Sequence, residues 1–315
     1  MTNWRERVSG GLGWFRGSRG LWAVAIVVVL LAALWIMPRR VARLVTVDGQ
    51  DVGPAPTGTP MRQVAWKPAE PIEIEADRGD ETVDLIAPRL AGDGQLLYLT
   101  RRGRDGRMDI FRSRRSETGW DKAEPVADLN SPANDIGPVI SADGQTLYFF
   151  SNRDGGHGGY DLYTSQRDAA GWSVPQNLGE SVNSVANEFD PALSPNGMHL
   201  FFSSDRETAD GDQLPQWSAT IRRPLAGHDF DLYEASRGSA GAPFASVRAL
   251  EGLNRSGSHE GAPFVSPGGG FLYFASNRVA RPGEPVNLDL YRARWTDNGF
   301  GAPRNLGPMI NTEND

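Results

Sequence analysis

The fold is read from one stretch: Pro138-Val-Ile-Ser-Ala-Asp143-Gly144, then Thr146-Leu-Tyr-Phe-Phe-Ser151-Asn152-Arg153, then Tyr160-Asp161-Leu162-Tyr163. Its opening returns three times, as Pro88-Arg-Leu-Ala-Gly-Asp93-Gly94, Pro191-Ala-Leu-Ser-Pro-Asn196-Gly197 and Pro263-Phe-Val-Ser-Pro-Gly268-Gly269. Asp-Gly, Asn-Gly and Gly-Gly are the pairs that a two-residue hairpin turn requires. After each turn comes a short β-branched and aromatic run, Leu96-Leu-Tyr-Leu-Thr100, His199-Leu-Phe-Phe-Ser-Ser204 and Phe271-Leu-Tyr-Phe-Ala-Ser276 in the other copies, which reads as a second strand. A third strand begins at Asp109-Ile-Phe111, Asp161-Leu-Tyr163, Asp231-Leu-Tyr233 and Asp289-Leu-Tyr291. A fourth carries an aromatic six residues before an aliphatic: Trp120/Val126, Trp172/Leu178, Phe244/Leu250 and Phe300/Leu306.

Four short antiparallel strands per unit make a propeller blade. One such sheet cannot bury both faces alone, so successive copies pack face to face around an axis, in preference to a linear solenoid. The reading is therefore all-β, with complete repeats at about 82–130, 131–183, 184–254 and 255–311 in a propeller domain over 64–315. The spacing between repeat prolines is 50, 53 and 72 residues, and the excess in the third step is one insertion between Arg206 and Asp231. Ser-Pro-Asn-Gly, Leu-Tyr-Phe, Ser-Asn-Arg and Tyr-Asp-Leu-Tyr together resemble the TolB-type, WD-repeat-like β-propeller of bacterial envelope proteins, over residues 82–311. The second repeat matches best, while the first, with Thr100-Arg101-Arg102, and the third depart in places. The resemblance implies a periplasmic or cell-surface propeller used for protein or envelope contacts, and fixes no ligand.

Composition agrees with this class. Gly 37 and Pro 22, with 23% charged and 39% hydrophobic residues, describe a turn-rich ordered chain. Residues 1–43 hold seven Arg and one Glu, leaving 25 basic against 38 acidic residues, a balance of -13, in the remainder. An acidic body argues against nucleic acid as a partner, since phosphate binding needs a basic face. With no Cys, disulfides and thiolate metal sites are excluded.

Leu21 to Met37 is a 17-residue run without a charge, with Trp22 and Trp35 near its ends and Arg on both flanks. This pattern predicts one N-terminal transmembrane helix at 21–37. The following Pro38-Arg39-Arg40 occupies the place where a cleavage site would need small residues, so the helix reads as an uncleaved signal anchor. Four Arg precede it and three follow, which puts 1–20 in the cytoplasm and the propeller on the periplasmic side of a bacterial inner membrane. Residues 38–63, with Pro54, Pro56, Gly58 and Pro60, form a linker.

Several constellations bear on function. Arg102, Arg153, Arg206 and Arg278 end the second strands, and Asp109, Asp161, Asp231 and Asp289 open the third, at separations of 7, 8, 25 and 11. Fixed ends around a variable loop predict Arg–Asp pairs, or backbone caps, pinning each loop neck. Asp135, Glu188 and Glu260 each lie three residues before a repeat proline, and this places them near the channel mouth. With Trp217 of the insertion they make the candidate binding face, the competing use being local capping by Arg.

Gly155-Gly156-His157-Gly158-Gly159-Tyr160-Asp161 resembles a calcium nonapeptide, but its Asp falls one place late and the motif occurs once, so it reads as a loop. Ser141-Ala-Asp143-Gly-Gln-Thr146 lacks the Trp of a sialidase Asp box. The four His lack metal-ligand spacing, and no nucleophile elbow or His-Glu-x-x-His occurs. No catalytic residue, metal or cofactor is assigned. The expected role is a non-catalytic protein-interaction or envelope scaffold module whose partner is another envelope protein or peptide. The alternatives are the propeller part of a peptidase, glycosidase or lyase, and a small-molecule or sugar sensor using Trp217. Finally, Trp66-Lys-Pro-Ala-Glu-Pro-Ile72 copies Trp120-Asp-Lys-Ala-Glu-Pro-Val126. The copy predicts that 64–76 is an outer strand for the final blade of an incomplete ring, one that continues beyond Asp315.

Overall fold

The computed structural model describes Ile74 and residues 84–117, 119–206, 230–278 and 288–311. The anchor at 21–37, the linker and the Trp217 insertion lie outside the described residues. Four antiparallel sheets follow one another in chain order, as the repeat predicts. Blade 1 is β1 (Leu85–Leu90), β2 (Leu96–Arg102), β3 (Met108–Ser116), β4 (Gly119–Trp120) and β5 (Glu124–Pro125). Blade 2 is β6 (Asp135–Ile140), β7 (Thr146–Ser151), β8 (Asp161–Gln166) and β9 (Gln176–Asn177). Blade 3 is β10 (Glu188–Leu193), β11 (His199–Ser204), β12 (Asp231–Ser236) and β13 (Ala245–Ala249). Blade 4 is β14 (Glu260–Val265), β15 (Phe271–Ser276), β16 (Asp289–Thr296), β17 (Gly299–Phe300) and β18 (Arg304–Asn305).

The second strands have no polar face because each one is buried on both sides. Side chains alternate with period two, so neighbouring residues serve different interfaces. Tyr98 of blade 1 packs with Leu147 and Phe149 of blade 2. Tyr148 and Phe150, on the other face of β7, pack with Leu200 and Phe202 of blade 3. Phe201 in turn meets Leu272 and Phe274 of blade 4. Fully burying such a side chain contributes about 1.5–3 kcal/mol, so these three inter-blade layers hold the blades together.

On the face of blade 1 away from blade 2, Leu97 and Leu99 form a cluster with Ala123 and Ile74. Ile74 is the described residue of the 64–76 copy, and it bridges Trp120 in parallel. Aligning Trp66 with Trp120 makes Ile74 equivalent to Asp128, whose carboxylate accepts from Trp172 N–H at 3.2 Å one blade later. Ile74 thus stands to blade 1 as Asp128 stands to blade 2.

The hairpin turns differ from the two-residue expectation. Gly94, Gly144, Gly197 and Gly269 have φ of 68 to 71°, whereas the preceding Asp93, Asp143 and Asn196 have no positive φ. Each of those three side chains instead accepts a hydrogen bond from the backbone two residues on, at 2.9–3.0 Å. A primed turn needs two left-handed residues, but here one Gly follows an Asx-stabilised turn, because the Asx side chain supplies the local acceptor.

Each innermost strand is bulged at its X-Pro step, between Ile86/Arg89, Ile136/Val139, Phe189/Ala192 and Gly261/Phe264. The residue before each Pro is left-handed: Ala87 (φ 48°), Gly137 (65°), Asp190 (50°) and Ala262 (48°). Pro cannot donate to the ladder, and a bulge absorbs the lost bond by bending the strand.

Candidate functional site

The arginines that end the second strands do not pair with the aspartates that open the third. Arg153 donates through Nη2 to Asp135 and to Leu129 O, and through Nε to Ser151 Oγ at 3.1 Å. Arg206 repeats this with Glu188 at 3.1 Å, Val182 O at 2.9 Å and Ser204 Oγ at 3.2 Å. Arg278 does so with Glu260 at 3.0 Å, Leu253 O and Ser276 Oγ. Each guanidinium also lies over two rings: Phe149 and Tyr163, Phe202 and Tyr233, Phe274 and Tyr291, at 4.6–5.2 Å.

The acidic partner comes from the first strand of the same blade because β1-type and β2-type strands pair there in register, as Asp135 with Ser151 and Glu188 with Ser204. Asp135, Glu188 and Glu260 are all 0% exposed. Burial pushes the Glu188 and Glu260 carboxyls up, against the pull of serine, backbone and Arg partners. These three acids are the inner members of buried clasps, and they do not form a solvent-facing ring.

Blade 1 lacks the clasp. Among the described residues the acid that Arg102 reaches is Asp84, at 3.6 Å, whose side chain is exposed. The third-strand aspartates have other tasks. Asp109 pairs with Arg107 at 3.0 Å. Asp161 accepts from His157 and Gly158 N–H and from Asn177 Nδ2, closing the glycine loop on itself. Asp289 accepts from Asn305 Nδ2 at 2.7 Å. Asp231 pairs in register with Ser204. Trp217 lies outside the described residues.

A second clamp was not singled out in the sequence. Asn130, Asn183, Asn254 and Asn311 each accept from one backbone N–H of the third strand and donate to that residue's own carbonyl. The strand residues are Ile110, Leu162, Leu232 and Leu290. A signal existed, since an aliphatic-Asn dipeptide (Leu129-Asn130, Val182-Asn183, Leu253-Asn254, Ile310-Asn311) ends every repeat.

One recess stands out among the described residues. Its empty space, mouth included, is about 440 Å³, between blades 3 and 4. Phe189, Asp190, Ser203, Phe230, His259, Glu260 and Leu288 are among its walls. Burial pushes the Asp190 carboxyl up to about 6, although Arg89 of blade 1 and the Ala262 N–H favour its charged form. Arg89 lies over the Phe264 ring at 5.7 Å, and burial lowers its own pKa. Sequence reading missed Asp190 because a residue before Pro in an inner strand looks like a structural turn residue.

No protein-family model and no curated protein matches the chain. Solved structures that resemble it include a TolB structure from Agrobacterium tumefaciens, with TM-score 0.45 and 19% identity over 69% of this chain and 63% of that one. A TolB from Acinetobacter baumannii gives 0.42 and 17%, over 71% of this chain and 44% of that one. A thermostable family-43 glycoside hydrolase gives 0.41 and 16%, over 72% and 76%. The chain thus spans 63% and 44% of the two TolB chains. The TolB-type resemblance of the repeats recurs among these neighbours. Likeness at this level carries nothing about activity, and the propeller assignment rests on the strand order and the repeated layers.

Proposed function

We propose that the chain is a membrane-anchored, extracytoplasmic β-propeller acting as a non-catalytic protein-interaction or envelope scaffold module. One observation supports this most directly: the three carboxylates nearest the candidate face are bound to Arg and Ser inside the blades. A general acid or base must reach a substrate proton, and a carboxylate held by a clasp at 0% exposure does not. The loops on that face are instead suited to contact. Gly158 of the glycine loop lies against the backbone of Ser184 to Ala186, and the neighbouring Val185 is 78% exposed.

The test is photo-crosslinking in intact cells. A photoreactive residue at Val185 gives a discrete, competable adduct, while one at the exposed Gln145, in a hairpin turn at the other end of blade 2, gives none. No adduct at Val185 or at other exposed positions of that end would remove the scaffold reading. A second reading, ligand sensing, is favoured by the recess between blades 3 and 4.

A further inference from the structure

We propose that the recess between blades 3 and 4 is a binding site for an organic ammonium group, with Asp190 as its counter-ion and Ser203 as a hydrogen-bond partner. This deepens the binding-module reading and rests on it.

Two independent observations carry the proposal. The first is an unmet polar group: Ser203 Oγ is 2% exposed, lines the recess and has no hydrogen-bond partner. A buried hydroxyl left unpaired costs about 1–3 kcal/mol, so it is an atom to which a ligand can give a bond at little cost. Its direction is fixed. Ser203 shares its face of β11 with Phe201, which packs on blade 4, and a Cβ built on Gly261 would lie 3.4 Å from Ser203 Oγ.

The second observation is the charge and shape of the walls. Phe189, Phe230 and Leu288 supply apolar surface, and the polar groups are Asp190, Glu260 and His259. Glu260 is already held by Arg278 and Ser276. Asp190 has no such clasp: it interacts with Arg89 without an ion pair within 4.0 Å, and it takes a backbone bond from Ala262. A recess walled by phenylalanines and a leucine around one unclasped carboxylate suits a cation on an apolar stem. Asp190 also holds a left-handed φ of 50° before Pro191, a conformation that presents its side chain at a bulge.

The shared chemistry is a primary ammonium, from either a free amine or a lysine side chain of a bound protein. The test uses the full chain in detergent, with n-pentylamine, 1-pentanol and a short peptide carrying one central lysine, followed by calorimetry and ligand-observed NMR at pH 7.5. The expected result is saturable binding of pentylamine, none of pentanol, and a weakening by roughly tenfold or more in Asp190→Asn. Asparagine tolerates the left-handed backbone, so this variant keeps the turn. Ser203→Ala, with an unchanged unfolding midpoint, weakens binding several-fold. A peptide tighter than pentylamine identifies a protein lysine as the source, and an equal or weaker peptide identifies a small amine.

Lowering the pH to 5 weakens binding as Asp190 is neutralised. Arg89 from β1 acts on the same carboxylate, and His259 and Glu260 are the other titratable groups lining the recess. The pH dependence must therefore shrink in Asp190→Asn. Equal binding of pentanol, or an Asp190→Asn affinity equal to that of the native chain, overturns the proposal. Amine binding without an adduct at Val185 would remove the scaffold role alone, and an adduct without amine binding would remove the site alone.

Discussion

Replacing Arg206 by Met removes the charge of the blade-3 clasp while keeping most of the apolar stem. Glu188 then remains at 0% exposure, with its Ser184 and Ser204 bonds at 2.6 and 3.1 Å but no counter-charge. Val182 O loses its 2.9 Å donor, and the Phe202 and Tyr233 rings lose a cation at 5.2 and 4.6 Å. Breaking one side of a buried pair costs about 3–5 kcal/mol, most of it from the stranded charge. Burial already pushes the Glu188 carboxyl up, and its two serine bonds remain, so the lower end of that range is expected. At this domain size about 3 kcal/mol lowers Tm by roughly 6–12 °C. Adding Glu188→Gln removes the stranded charge and should recover about half the loss. Arg102→Met in blade 1, whose Asp84 partner is 3.6 Å away and exposed, should cost at most about 1 kcal/mol. The assay is urea and thermal unfolding of the four proteins, followed by far-UV circular dichroism. If Arg206→Met costs no more than Arg102→Met, or Glu188→Gln adds its own loss, the clasp does not work as described.

Other expectations are equally direct. Burial raises the folded pKa of Asp190 from 3.8 to about 6, so its contribution to stability is fully present below about 3.8 and lost as the pH rises through about 6. Asp190→Asn should therefore gain stability over the native chain at pH 7, and this advantage should disappear by pH 4; urea midpoints across that range that run parallel would refute it. Gly137→Ala should destabilise blade 2 by about 1–3 kcal/mol through steric overlap, since a Cβ there would lie 2.5 Å from the Phe150 ring. The φ of 65° is not the reason, because Ala87 and Ala262 hold 48° at the equivalent positions, and an unchanged melting temperature would show that Phe150 can move at no cost. Protease added to spheroplasts should degrade residues after 44 and spare 1–20, and the reverse pattern would overturn the proposed orientation.

The blades were legible because Leu147-Tyr148-Phe149-Phe150 can be apolar throughout only if both faces are covered, and the repeat said by what. The left-handed glycines of the turns were legible too, though not their turn type, which depends on where the Asx side chain finds a donor. The clasp was half legible. Arg153 and Asp135 both stand out in the repeat, yet spacing along the chain points Arg153 to Asp161, the nearer of the two acids, and the structure pairs it with Asp135. Sequence distance misled here because β-pairing brings Asp135 opposite Ser151, 16 residues away, while the loop to Asp161 folds onto its own N–H groups. The recess at Asp190 was not legible at all, since its walls come from blades 3 and 4 and no single repeat contains it.

Each connecting turn is held from two directions, by Asn of its own repeat and by Arg of the repeat that follows, as Asn130 holds Ile110 while Arg153 holds Leu129 O. A ribosome delivers these two anchors at different times. When Asn130 emerges, blade 1 can form its third-strand bond, but the turn has no second restraint until 23 further residues bring Arg153. Every blade therefore completes the one before it. Assembly along the chain acquires a direction, with the youngest blade always the loosest and the most exposed to a protease or chaperone, and each newly arrived arginine latching its predecessor.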